Sequence, residues 1–80
     1  MTPVTLARFM KELEKLKKES DGGLKPDEYD TRLARVIQDL RDRGLDADRA
    51  ATTAALADAV KGGIITPAVQ GHLQRRLGLV

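Results

Sequence analysis

Apolar residues recur at three- and four-residue intervals in four separate segments of this chain, and no segment alternates at period two over the length of a strand. Leu6, Phe9, Met10, Leu13 and Leu16 form the first stripe, and Tyr29, Leu33, Val36, Ile37 and Leu40 the second. A third segment runs through Ala50, Ala54, Leu56, Ala57 and Val60, and a fourth carries Val69, Leu73 and Leu77. A stripe of this kind covers one side of a helix and has to be buried against another element. The pattern therefore predicts an all-α fold without a sheet, a compact four-helix domain built from two helical hairpins with Gly-Gly turns.

Local chemistry places the helix limits. Thr2 as N-cap and Pro3 at the first helical position start helix one, because proline lacks the N–H that would be unpaired there. Gly22-Gly23 ends it. Helix two starts near Pro26, with Asp27 and Glu28 where the helix dipole favours acids, and stops at Gly44. Asp39–Arg43 and Glu28–Arg32 are spaced to pair along its outer face. Asp46 or Asp48 caps helix three, which ends at Gly62-Gly63. Thr66-Pro67 opens helix four, which ends near Gly78 and carries a destabilising Gly71 inside it. The chain of 80 residues reads as one domain, with hairpin one over 3–43 and hairpin two over 46–78.

A domain this short buries only roughly 60–65% of its unfolded surface. Its margin of stability is thin, and self-association is a common remedy, so a monomer or a homodimer is expected. No cysteine is present, which excludes disulfides, thiolate nucleophiles and zinc–thiolate sites. No run approaches the roughly 20 apolar residues of a membrane span, and the opening Met-Thr-Pro-Val-Thr-Leu lacks the pattern of a secretion signal. The expectation is a cytoplasmic protein with no membrane contact. The formal charge is +2, too small to imply nucleic acid by itself. Its distribution is uneven: residues 1–58 carry 11 basic and 12 acidic residues, whereas residues 59–80 carry Lys61, Arg75 and Arg76 and no acid.

The two halves align at an offset of 40 residues. Leu16 matches Leu56, Gly22-Gly23 matches Gly62-Gly63, and Leu24 matches Ile64. Tyr29 then matches Val69, Leu33 matches Leu73, Arg35 matches Arg75, and Ile37 matches Leu77, while the prolines are out of phase by one. A duplication fits this pattern, and so do two hairpins that share turn chemistry. In either case neither hairpin can bury its stripe alone.

Leu13, Leu16, Gly22, Leu24, Glu28, Tyr29, Val36 and Ile37 together resemble the SHOCT (short C-terminal domain) family. Its pattern is a charged helix with spaced leucines, a glycine turn, and a second helix opened by acids and an aromatic. The second half holds the family's connector as Gly63-Ile64-Ile65-Thr66, but Pro67-Ala68-Val69 replaces the acids and the aromatic. The resemblance implies a hairpin used for oligomerisation or binding, with no catalytic residues. A motif inside a doubled domain departs from the family's usual place as a C-terminal appendage.

The residues point away from an enzyme. His72 is the only histidine and Ser20 the only serine, so neither has the partners that metal binding or nucleophilic catalysis needs. Asp27, Glu28 and Asp30 lack the spacing of a calcium loop, and neither Gly-Gly belongs to a phosphate loop. No cofactor, metal or small-molecule substrate is expected.

The favoured reading is a non-enzymatic protein–protein interaction module, an adaptor, an oligomerisation module or a small inhibitor, whose partner is another protein or a second copy. Ile64, Ile65, Leu77, Leu79 and Val80 make an apolar surplus, which either closes the bottom of the core or forms an exposed patch rimmed by Lys61, Arg75 and Arg76. Ile64, Ile65, Leu77 and Leu79 are the expected contacts, and Arg75 and Arg76 the orienting charges toward an acidic partner. The alternative is a helix-turn-helix-like DNA-binding regulator that uses helix 66–78. Lys61, Gln70, His72, Gln74, Arg75 and Arg76 would then contact nucleic acid. Its register is poor: the turn is about two residues too long for such a motif, and Asp58, Gly62 and His72 fall where apolar residues are wanted.

Overall fold

Helix limits follow capping chemistry closely in the computed structural model, which describes residues 2–79. Helix α1 spans Leu6–Asp21, α2 Pro26–Arg43, α3 Arg49–Lys61 and α4 Pro67–Arg76. At α3 the Asp48 carboxylate accepts the Ala51 N–H at 2.7 Å, and at α4 the Thr66 hydroxyl accepts the Val69 N–H at 3.2 Å. Lys25 precedes α2 without a side-chain cap bond, and Pro26 removes one of the unpaired donors there. Gly44 stops α2 as expected, with its N–H donating to the Leu40 carbonyl at 2.8 Å.

The two Gly-Gly turns are copies in hydrogen bonding as well as in residue type. Gly22 N–H donates to Lys18 O, Gly23 N–H to Ser20 O and Leu24 N–H to Glu19 O. Gly62 donates to Asp58 O, Gly63 to Val60 O and Ile64 to Ala59 O, each 40 residues later. This bond pattern is a Schellman ending, which places its glycine at positive φ; Gly23 stands at 109° and Gly63 at 76°.

The start of α1 differs from expectation. Thr5, not Thr2, is the N-cap and accepts the Arg8 N–H at 3.1 Å, so Pro3 lies outside the helix. Val4–Thr5 instead forms strand β1, which pairs in parallel with strand β2, Leu45–Asp46. Val4 N–H donates to Gly44 O at 2.9 Å. The expectation of no sheet therefore fails for this two-stranded ladder, because two residues are too few to show an alternating pattern. Each half of the chain is a strand followed by two helices.

The repeat is less regular than a gapless offset suggests. The strands correspond at 41 residues and the turns at 40. The N-caps Thr5 and Asp48 are 43 apart, as are the buried positions Phe9, Leu13 and Leu16 against Thr52, Leu56 and Ala59. Helix α3 is thus three residues shorter than α1, having 13 against 16.

Helix α1 packs against both α2 and α3, and α3 packs against α4. The core holds Val4, Phe9, Leu13, Leu16, Leu33, Ile37, Leu40, Leu56, Ala59, Ile65 and Leu73. Burying each large side chain among these contributes about 1.5–3 kcal/mol, offset by the entropy of ordering the chain. In α3 the buried face is Thr52, Leu56 and Ala59, while Ala50, Ala54 and Ala57 are exposed. The Thr52 hydroxyl is satisfied by the Asp48 carbonyl at 2.8 Å. Arg32 pairs with Glu19 across the first hairpin, not with Glu28 in its own helix. Arg43 lies 3.7 Å from Asp39, as the spacing implied.

Among the described residues, no helix is long and apolar enough to cross a membrane.

Candidate interaction site

The 40-residue offset reappears as geometry at the end of the bundle where both Gly-Gly turns lie. A cleft of about 290 Å³ opens there, walled by Leu24, Pro26 and Tyr29 from the first unit and Gly63, Ile64, Thr66 and Val69 from the second. Leu24 and its sequence counterpart Ile64 both line this space, as do Tyr29 and Val69. All four are half-buried, and Ile65 is the one buried residue of the lining. Lys17 and Ser20, near the end of α1, complete the lining.

Capping places these side chains. The Schellman endings release Leu24 and Ile64 from the helices and direct the chain back toward the core. Pro26 and Pro67 then restart the helices, so that Tyr29 and Val69 stand in their first turns. A second hollow continues from Val69 between α2 and α4, lined by Asp30, Leu33, Ala68 and His72.

The Tyr29 hydroxyl has its pKa raised above the ordinary phenol value. Partial burial is the main cause and the Asp30 carboxylate adds to it, while Lys17 opposes them. The Lys17 ammonium donates to the Asp21 carboxylate at 2.8 Å.

The expected contact residues do not form one patch. Ile64 reaches the cleft, but Ile65 is a core residue, 5% exposed, and so offers little surface to a partner. Leu77 and Leu79 are half-buried against the core beyond the C-terminal end of α4, where Arg75 and Arg76 are exposed. The ten residues of α4, about 15 Å along its axis, separate that group from Ile64. Val80 lies outside the described residues. Of the residues considered for nucleic acid, Lys61, His72, Arg75 and Arg76 are exposed and Gln70 and Gln74 half-buried. Five residues, 62–66, connect α3 to α4.

Leu24, Tyr29 and Val69 were not among the expected contacts. The repeat alignment contained the signal, since it pairs the residues that the fold brings together. His72, Ser20, Asp27, Glu28 and Asp30 all lie on the exposed surface, and no group of three or more His, Asp or Glu side chains is placed to hold a metal ion among the described residues.

No family profile matches the chain, and no curated protein or solved structure matches it.

Proposed function

We propose that this chain is a protein–protein interaction module whose docking face is the cleft between its two Gly-Gly turns. The observation that carries the reading is the convergence of four half-exposed apolar residues, Leu24, Tyr29, Ile64 and Val69, on one open cleft. Apolar side chains grouped in this way gain free energy when a partner excludes water from them. The likeness of residues 13–37 to SHOCT hairpins, which serve binding or oligomerisation, points the same way. Arg75 and Arg76, exposed at the far end of α4, provide a second contact for a partner long enough to follow that helix.

The test is partner capture by wild-type protein, by Ile64→Glu, and by Arg75→Glu combined with Arg76→Glu. Ile64→Glu should lose a partner that wild type retains, with its helical circular dichroism intact. The double charge reversal should weaken capture while leaving the fold unchanged. A partner held equally by wild type and Ile64→Glu contradicts the assignment of the cleft. The rival reading, DNA contact through α4, requires duplex binding that falls steeply with salt and is lost in the double charge reversal.

A further inference from the structure

We infer that the cleft takes a short acidic-apolar peptide segment, one or two aliphatic side chains seated between Leu24, Tyr29, Ile64 and Val69 with flanking carboxylates meeting Lys25 and Lys61. This rests on the cleft being the docking face and adds the chemistry of its occupant.

Size comes first. A volume of about 290 Å³ falls just short of the range of roughly 300–1,000 Å³ typical of small-molecule and cofactor pockets. The cleft is open and suits side-chain anchors better than a cofactor. Leu24, Pro26, Ile64, Ile65 and Val69 make its apolar walls aliphatic apart from Tyr29, so the anchor is aliphatic too.

Charge decides the flanks. Lys17 lines the cleft itself. Lys25 stands between the lining residues Leu24 and Pro26, and Lys61 immediately precedes the second Gly-Gly turn; both are exposed. The nearby carboxylates offset this rim only in part. Asp21 and Lys17 pair at 2.8 Å and offset each other, which leaves Lys25 and Lys61 as the rim cations. Asp30 lies beyond Tyr29, in the hollow shared by α2 and α4. Asp27 and Glu28 line a different surface of α2, together with Thr31, Arg32 and Arg35. In the second half Asp58, exposed about one turn before Lys61, is the last acid. A partner presenting carboxylates around an apolar anchor therefore meets complementary charge, and one presenting ammonium groups meets repulsion. Exposed ion pairs contribute little affinity individually. Their effect is selection between partners and faster association, both weakened by salt.

Lys25→Asp separates binding from folding. Lys25 is the N-cap of α2 and makes no side-chain cap bond. An aspartate there can accept the unpaired N–H of Asp27 or Glu28, so the variant keeps or gains stability while reversing one rim charge. The experiment titrates fluorescently labelled peptides of alternating leucine and glutamate, or leucine and lysine, into wild type, Lys25→Asp and Ile64→Glu, and follows anisotropy. The glutamate peptide should bind wild type about tenfold more tightly than the lysine peptide at low salt. Lys25→Asp should weaken it about fivefold without lowering the melting temperature, and Ile64→Glu should weaken both peptides. Equal affinity for the two peptides, or a glutamate peptide indifferent to Lys25→Asp, overturns the inference while leaving the cleft as a docking face if Ile64→Glu still weakens binding. If neither peptide binds below about 1 mM, the inference and the docking face fall together. Displacement of the glutamate peptide by a random duplex oligonucleotide assigns the cations to nucleic acid and also overturns it.

Discussion

Val4 and Leu45 stand opposite each other in a two-residue parallel ladder that joins the start of one half of the chain to the start of the other. Val4 lies outside every helix yet is only 3% exposed. It seals the core where α2 gives way to β2, and its N–H is held by the Gly44 carbonyl. Val4→Ala should therefore cost about 2 kcal/mol, although it removes no helical residue. For a domain of this size that lowers the melting temperature by about 10 °C, with helical circular dichroism before the transition unchanged.

Two glycines should respond to alanine with opposite signs. Gly44 has φ 82° and ψ 154°, a conformation essentially restricted to glycine. No neighbour would obstruct a Cβ there, so the cost of Gly44→Ala is backbone strain, about 1–3 kcal/mol. Gly71 lies inside α4, and the nearest atom to an added Cβ is Arg75 Nη1 at 3.8 Å. Gly71→Ala should stabilise by about 0.5–1 kcal/mol. Urea unfolding of the two variants checks both signs.

Asp48→Ala should destabilise by about 1 kcal/mol, since the carboxylate is the cap that accepts the Ala51 N–H. Asp48→Asn keeps an acceptor at the same place and should cost much less. If both variants lose the same stability in chemical unfolding, the carboxylate acts through something other than the cap.

Tyr29 is the only tyrosine and the chain has no tryptophan, so its ultraviolet absorbance reports one site. Burial raises its pKa above the unfolded value, with Asp30 adding to the shift. The folded state thus holds the phenol proton more tightly than the unfolded chain. The associated stability is fully present below the unfolded pKa and is lost as pH rises through the folded one. Spectrophotometric titration should show phenolate forming at higher pH in folded protein than in urea. Tyr29→Phe should remove this tyrosine contribution to alkaline destabilisation.

The parts of the fold legible in the sequence are those governed by neighbouring residues. Thr66-Pro67, Gly62-Gly63 and Gly22-Gly23 each satisfy helix-end donors or acceptors locally, so residue type alone located them. Thr2-Pro3 predicts a start of α1 three residues before the cap at Thr5, since Thr2 offers the same capping hydroxyl as Thr5. The choice between them comes from the ladder with Leu45–Asp46, 41 residues away. The buried face of α3 was obscured by alanines at positions 50, 51, 54, 55, 57 and 59, which leave Leu56 as its one strong marker before Val60. Ile64 and Ile65 are adjacent and alike in the sequence; only packing shows that one lies in the core and the other on the cleft wall. The cleft itself was half-visible, as residues matched by the repeat, but their meeting is a property of the assembled hairpins.

The most direct test of the docking face is a map of backbone amide shifts when a captured partner, or the leucine–glutamate peptide, is titrated into labelled protein. The expected changes cluster at residues 20–29 and 62–69, around both turns, and leave unaffected a separate groove between α1 and α2 that Arg8, Glu12, Arg35 and Asp39 line. Shifts confined to residues 72–79, or to that groove, would place the interface elsewhere and contradict the account.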